Sequence, residues 1–284
     1  MSQVWLITAT SSGFGKEIAL DALRKGDKVI ATGRSLGKLS AVKDGGAEIL
    51  ELDVTSSLDN INKTVAEAHA RYGKIDILVN SAGYVLEGAI EEINPKESYD
   101  QFNTNVFGAL NVTRAVLPYM RAQRSGVIAM FGSLGGYHVG PAFGLYCATK
   151  AACSIISDSL RQELAPFGIQ VTSIEPGYFR TGFLNPGARI SGEVTIRDYE
   201  DTVVGETRVV LEKTDGKQLG DVKKGSAVVV DVLTKRGEVG KMGIPSRLVL
   251  GSDCQEAIRA NVTETLRRAD EWKSVSDSTD YPKE

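Results

Sequence analysis

Short apolar runs alternate with stretches of helical period along almost the whole chain, and this limits the fold more than any other feature. Val4–Thr8, Lys28–Ala31, Ala47–Leu52, Ile75–Val79, Gly126–Phe131, Ile169–Ile174 and Arg247–Leu250 read as buried strands. Helices are expected over Phe14–Lys25, Leu36–Val42, Leu58–Tyr72, Pro95–Arg121 with a break near Gly108, Tyr146–Leu164, Val222–Thr234 and Cys254–Trp272. Gly73, and Pro166 with Gly168, supply helix stops. Strands separated by helices cannot pair as tight hairpins. They lie parallel, with helices covering both faces.

Right-handed crossovers then give a doubly wound α/β fold of the Rossmann type, a seven-stranded parallel sheet with helices on both faces. A length of 284 residues suits one large domain with a sizeable core. No linker separates two cores and no solenoid repeat occurs, so residues 1–273 read as a single dinucleotide-binding domain. Within it, 182–218 is rich in Gly, Thr and charge and only weakly periodic, which reads as an irregular lid over a substrate site. The polar tail, 274–284, is expected to be mobile.

A hydrophobic fraction of 42% and a charged fraction of 24% describe an ordinary globule. The net charge is −3 and no basic block occurs, which argues against nucleic acid as a partner. The start lacks a signal peptide's charged, apolar and cleavage regions. No apolar run approaches the ~20 residues of a membrane span. A soluble, cytoplasmic protein is the expectation. Cys147, Cys153 and Cys254 are odd in number and form no CxxC, so buried reduced thiols are expected and no metal site. His69 is expected to be solvated, and His138 is a pocket candidate.

The sharpest chemical signal is Tyr146-Cys147-Ala148-Thr149-Lys150. On a helix this spacing puts Tyr146 and Lys150 on nearly one face. A phenol titrates near ~10. A cation one turn away would lower that value and fit the tyrosine for general acid/base work on an alcohol or carbonyl. Ser133 precedes it at the end of a strand. Near the N-terminus, the run Thr8-Ala9-Thr10-Ser11-Ser12-Gly13-Phe14-Gly15 joins the first strand to the first helix. Such a turn lets backbone amides approach a pyrophosphate at a helix N-terminus. NAD binders commonly carry an acid about 20 residues past the glycines, at the tip of the second strand. Here the tip is Ala31-Thr32-Gly33-Arg34-Ser35. Arg34, with help from Lys38, suits a 2′-phosphate, so NADP(H) is expected over NAD(H).

Over about residues 3–270 these motifs resemble the short-chain dehydrogenase/reductase family. The turn at 8–15 matches the family's TGxxxGxG except that Ala9 replaces the first glycine. Asp53-Val54 stands at the adenine contact. Asn80-Ser81-Ala82-Gly83 matches NNAG with Ser81 as a departure. Pro176-Gly177, with Phe179 and Thr181 beyond, matches the turn that closes over the cofactor. The resemblance implies a catalytic set of Asn105, Ser133, Tyr146 and Lys150. It also implies cofactor contacts from Ala9, Ser11, Ser12, Gly13, Phe14, Gly15, Arg34, Asp53, Val54, Asn80, Ala82, Gly83, Tyr146, Lys150, Pro176, Gly177, Phe179 and Thr181. Asn80 has a second reading, as a tie between neighbouring strands. An alanine at position 9 would strain the backbone if φ is positive there.

By this resemblance Ser133 orients the substrate oxygen and Tyr146 exchanges a proton with it. Lys150 lowers the Tyr146 pKa and binds the nicotinamide ribose, and Asn105 holds a water. Leu134, Tyr137, Phe143, Tyr178, Phe183 and Leu184 are candidate pocket walls, suited to an apolar ketone, aldehyde or alcohol. Ala148, Ala151 and Ala152 give the Tyr146 helix a small-residue face, and the family often pairs this helix, so a homodimer or homotetramer is expected. Two other readings share the fold: a non-catalytic NADP-binding regulator, and a lyase or epimerase using the same tyrosine.

Overall fold

The computed structural model describes residues 2–185 and 187–281 of the 284-residue chain. Met1, Pro186 and residues 282–284 of the expected tail lie outside the described residues. The strands are β1 Val4–Ile7, β2 Lys28–Gly33, β3 Glu48–Glu51, β4 Ile77–Asn80, β5 Val85–Glu87, β6 Gly126–Phe131, β7 Ile169–Pro176, β8 Arg189–Ser191 and β9 Arg247–Leu250. The helices are α1 Gly13–Arg24, α2 Ser40–Asp44, α3 Leu58–Tyr72, α4 Pro95–Phe102, α5 Ala109–Gln123, α6 Gly144–Leu164, α7 Val203–Thr214, α8 Val222–Thr234, α9 Gly237–Gly240, α10 Ser252–Glu271 and α11 Lys273–Asp277.

Seven strands form one parallel sheet in the order β3-β2-β1-β4-β6-β7-β9. The order reverses beside β1, as a doubly wound fold requires, and the crevice there opens at the C-terminal ends of the strands. The strands are apolar on both faces because both are covered. Leu6, Ile30, Leu78, Ile128 and Val171 face one layer with Ile61 and Val65 of α3 and Val112, Val116 and Met120 of α5. Trp5, Ile7, Val29, Val79 and Ile174 face the other, with Ile18 and Ala22 of α1 and Val229, Val230 and Leu233 of α8. Truncating a fully buried member such as Ile18 to alanine would cost about 2–5 kcal/mol.

Local chemistry sets the helix ends. Ser57 caps α3 by accepting from the Asn60 amide, and Gly73 ends it at φ +70°. Asn94 and Glu97 form a reciprocal capping box on α4. Asp221 accepts from the Lys223 and Lys224 amides and starts α8 at Val222.

Three readings differ from the sequence expectation. The long helix from Pro95 does not break at Gly108. It widens into a π-helical stretch, Asn103–Gly108, joining α4 to α5. Segment 182–218 is not irregular: it carries β8 and α7, and β8 pairs in parallel with β5 to make a second, two-stranded sheet. His69 is not solvated but half-buried, stacked on Tyr119 at 4.2 Å between ring centroids. The three cysteines are free and buried. No helix among the described residues is long and apolar enough to cross a membrane.

Candidate active site

A cleft of about 1010 Å³ runs along the C-terminal edge of the large sheet. Its floor at one end is the β1–α1 turn, with Ala9, Ser11, Ser12, Gly13, Phe14 and Gly15 on its wall. Ser12 precedes α1 in extended backbone and makes no side-chain cap. The first amides of α1 therefore lack a side-chain acceptor at an end that favours negative charge. A Cβ on Gly15 would sit 2.6 Å from Ser81 Oγ and 2.7 Å from the Ala9 carbonyl, so only glycine fits there. Ala9 has φ +54°, the left-handed conformation that strains any residue with a Cβ. Thr8 locks the turn to the next strand: its Oγ1 accepts from the Ser81 and Ala82 amides at 3.0 and 3.2 Å.

At the outer end Arg34 and Lys38 line the cleft, both exposed, and neither forms an ion pair with any described residue. Asp53 and Val54 lie opposite, and Asp53 Oδ1 accepts from the Thr55 amide and hydroxyl. Ala82 and Gly83 line the middle. Asn80 does not reach the cleft. It is buried, and its Nδ2 donates to Thr113 Oγ1 at 3.0 Å and towards Met130 Sδ at 3.2 Å, tying β4 to α5 and β6. Of its two readings, the structure supports the tie.

Ser133, Tyr146 and Lys150 meet at the inner end. Ser133 leaves β6 in extended backbone, its hydroxyl accepting from the Gly135 amide at 3.0 Å. Tyr146 and Lys150 stand one turn apart on α6. Lys150 is buried, its Nζ donating to the Phe131 carbonyl at 2.9 Å and lying 5.8 Å from the Tyr146 ring centre. Burial raises the Tyr146 pKa, and the Ser133 hydroxyl pulls it the other way. Burial also lowers the Lys150 pKa, since a low-dielectric site penalises its charge. Desolvation is the largest influence on the tyrosine, and the Lys150 ammonium is directed to a backbone carbonyl.

Asn105 lies in the π-helical stretch, just behind the cleft wall. Its side chain bonds the Tyr84 amide and carbonyl, both at 3.1 Å, and Thr149 Oγ1 at 3.0 Å. Its own carbonyl, set in the widened turn, accepts from the Cys153 thiol at 3.2 Å.

Beyond β7, the turn Pro176–Thr181 crosses the cleft. A side chain on Gly177 would overlap the Asp253 carboxylate, whose Oδ2 accepts from the Tyr178 amide at 2.6 Å. Phe179 packs edge-on against Phe14 at 5.0 Å, and Thr181 lies against Gly13. Leu134, Phe143, Tyr178, Phe183 and Leu184 line the cleft as expected, as does His138. Tyr137 does not. Its hydroxyl turns away to Glu175 Oε2 at 2.6 Å and Arg247 at 2.7 Å. Val85 of β5, Ile190 of β8 and Thr207 and Leu211 of α7 complete the wall, unforeseen from sequence.

The parallel sheet, glycine turn and edge cleft define the class of dinucleotide-binding α/β enzymes. Within it, the chain belongs to the short-chain dehydrogenase family, whose model matches residues 3–188. It is similar to the oxidoreductase BOA17 of Botryotinia fuckeliana, 34% identical over 281 residues, with 97% of this chain and 98% of that protein covered. It is 36% identical to a 3-ketodihydrosphingosine reductase of Bacteroides thetaiotaomicron over 235 residues, 82% of this chain and 84% of that one. A solved short-chain dehydrogenase from Streptomyces avermitilis superposes with TM-score 0.88 at 38% identity, covering 99% of this chain and all of that one. The protein is therefore an oxidoreductase of the short-chain dehydrogenase type.

Proposed function

We propose that the protein is an NADP(H)-dependent oxidoreductase interconverting an apolar ketone or aldehyde and its alcohol, with Tyr146 as general acid/base. The observation that carries this reading is the meeting of Ser133, Tyr146 and Lys150 at one end of a cleft whose other end holds the cations Arg34 and Lys38.

The residues present fit the dinucleotide. The uncapped start of α1 suits a pyrophosphate, and the lack of an acid at the tip of β2 suits a 2′-phosphate. NADPH bound there would supply the hydride. Ser133 would hold the substrate oxygen by a hydrogen bond. Tyr146 would give that oxygen its proton in reduction and take it back in oxidation. A raised phenol pKa keeps Tyr146 protonated, ready to act as an acid, and Lys150 would favour the phenolate in the opposite direction. Asn105 would position water behind Lys150. Phe143, Phe183, Leu184 and Leu211 would exclude bulk water, with 182–218 as a lid. The 3-keto compound in the Bacteroides relative's name agrees with a ketone substrate. The small-residue face of α6, with Ile155 63% exposed beside it, supports a homodimer or homotetramer as part of the same reading.

The test is oxidation of NADPH and NADH over a panel of aldehydes, cyclic ketones and long-chain keto compounds, with Tyr146→Phe as control. NADPH-preferred turnover lost in the variant supports the reading. Cofactor binding with no turnover in either direction would shift weight to a regulator. Product formation without net NADPH oxidation would shift it to a lyase or epimerase.

A further inference from the structure

Behind Ser133 lies a carboxylate that the proposed mechanism does not use. Glu175 is fully buried in β7, directly before the Pro176-Gly177 turn. One oxygen accepts from Ser154 Oγ at 2.8 Å and the other from the Tyr137 hydroxyl at 2.6 Å. Ser154 stands one turn beyond Lys150 on α6 and also bonds the Lys150 carbonyl at 3.2 Å. Tyr137 ends the short loop that Ser133 begins, and its backbone carbonyl accepts from Asn261 of α10 at 2.8 Å. A Cβ on Gly132 would come within 2.7 Å of Ser154 Oγ and 3.1 Å of Glu175 Cγ, so the carboxylate stem packs under the residue preceding Ser133.

A buried charge is retained only where its partners are fixed. These partners come from two of the segments that carry the site, the Ser133 loop and the Tyr146–Lys150 helix, and Glu175 itself stands on the third, the strand entering the cofactor turn. Arg247 balances the cluster from β9, donating to the Tyr137 hydroxyl and pairing with Asp158 at 2.6 Å. Burial and the bond to Glu175 push the Tyr137 phenol up to about 12, so it remains a donor throughout the neutral range.

Resting on the function proposed above, we infer that Glu175 and Tyr137 form a positioning pair, which sets the Ser133 loop against the Tyr146 helix without touching substrate or cofactor. Removing the Tyr137 hydroxyl cuts the loop's side-chain tie to Glu175 and Arg247 while leaving the cofactor turn and the α1 N-terminus intact. The loss then falls on turnover and not on dinucleotide binding.

The experiment uses the full-length enzyme and its best carbonyl substrate. Tyr137→Phe keeps the ring and deletes one oxygen. The expected result is a kcat lower by roughly 10-fold, since small misplacements of reacting groups are costly, with the NADPH Kd from fluorescence titration unchanged within about twofold. Glu175→Gln keeps an acceptor oxygen and is expected to recover most of the activity lost in Glu175→Ala. Should Glu175→Ala not fold, Tyr137→Phe against Glu175→Gln still gives the comparison. An unchanged kcat in Tyr137→Phe overturns the inference, as does a parallel loss of kcat, NADPH affinity and thermal stability, which marks a general lesion. A wild-type protein that neither binds nor oxidises NADPH defeats the underlying functional reading instead.

Discussion

Ala9 gives the prediction with the most direct arithmetic. Its φ of +54° places a Cβ in the left-handed region, which costs an L-residue roughly 1–2 kcal/mol. Ala9→Gly removes that strain. Glycine's extra freedom in the unfolded chain offsets about 0.4–1 kcal/mol of the gain. The net expectation is a folded state more stable by about 0.5–1 kcal/mol. Unfolding entropy near 2.1 cal/mol/K per residue makes about 600 cal/mol/K for a chain of this size, so the melting midpoint should rise about 1–2 °C. Differential scanning fluorimetry without ligand measures this. NADPH titration of the same variant should show affinity at least equal to wild type, because the deleted methyl lies on the cleft wall. A midpoint equal to or below wild type would refute the reasoning, because it would mean that the surroundings relieve the strain assigned to Ala9.

The other predictions concern the site and its cover. Tyr146→Phe should lower kcat at least 10²-fold, a typical general acid/base contribution, with NADPH binding retained in fluorescence titration. Arg34→Ala should cut kcat/KM for NADPH by roughly 10- to 100-fold, the worth of a charge-assisted hydrogen bond, and leave that for NADH nearly unchanged; equal losses with both would remove Arg34 from cofactor selection. Glu92, fully buried, pairs with Arg208 of α7 and accepts from the Ala89 and Ile196 amides at 2.7 and 2.9 Å. Burial alone would raise its pKa, but those bonds and Arg208 outweigh it and hold the carboxyl below its usual 4.5. A depressed folded pKa means stability that is fully present above 4.5 and lost as pH falls through the folded value. Limited proteolysis should therefore find 182–218 protected near neutrality and cut as the pH drops below 4.5. Arg208→Met, which leaves a buried carboxylate unpaired at a cost of about 3–5 kcal/mol, should be cut there even at neutral pH.

The sheet was legible because its strands are short, mostly apolar runs set between helical stretches and stop signals. The helix over Val222–Thr234 was placed to the residue, and in the structure Asp221 caps its start. The second sheet could not be read, because β5 and β8 lie about 100 residues apart and neither is recognisable without the other. α7 escaped for a different reason. It buries only Val204 and Leu211 while Val203, Val209 and Val210 stay exposed, so its apolar residues blur the helical period. Tyr137 looked like a pocket wall because it is aromatic and close to Ser133 in sequence; the carboxylate that turns it away enters from β7. The burial around Tyr146 was not legible, because spacing reports which groups are near and is silent on how dry their surroundings are.

The strand order has a consequence for how the chain is made. β7 is the last strand of the sheet's interior, and its outer edge is paired only by β9, encoded about 70 residues later. At ribosomal speeds of about 5–20 residues per second, Ser173 to Pro176, the residues that β9 pairs, would wait roughly 4–14 s with open backbone groups. For that interval the nascent protein presents a ready template for strands of other chains. Yield in a foreign host should then depend less on the stability of the finished enzyme than on whether a chaperone shields that edge before Arg247–Leu250 emerges.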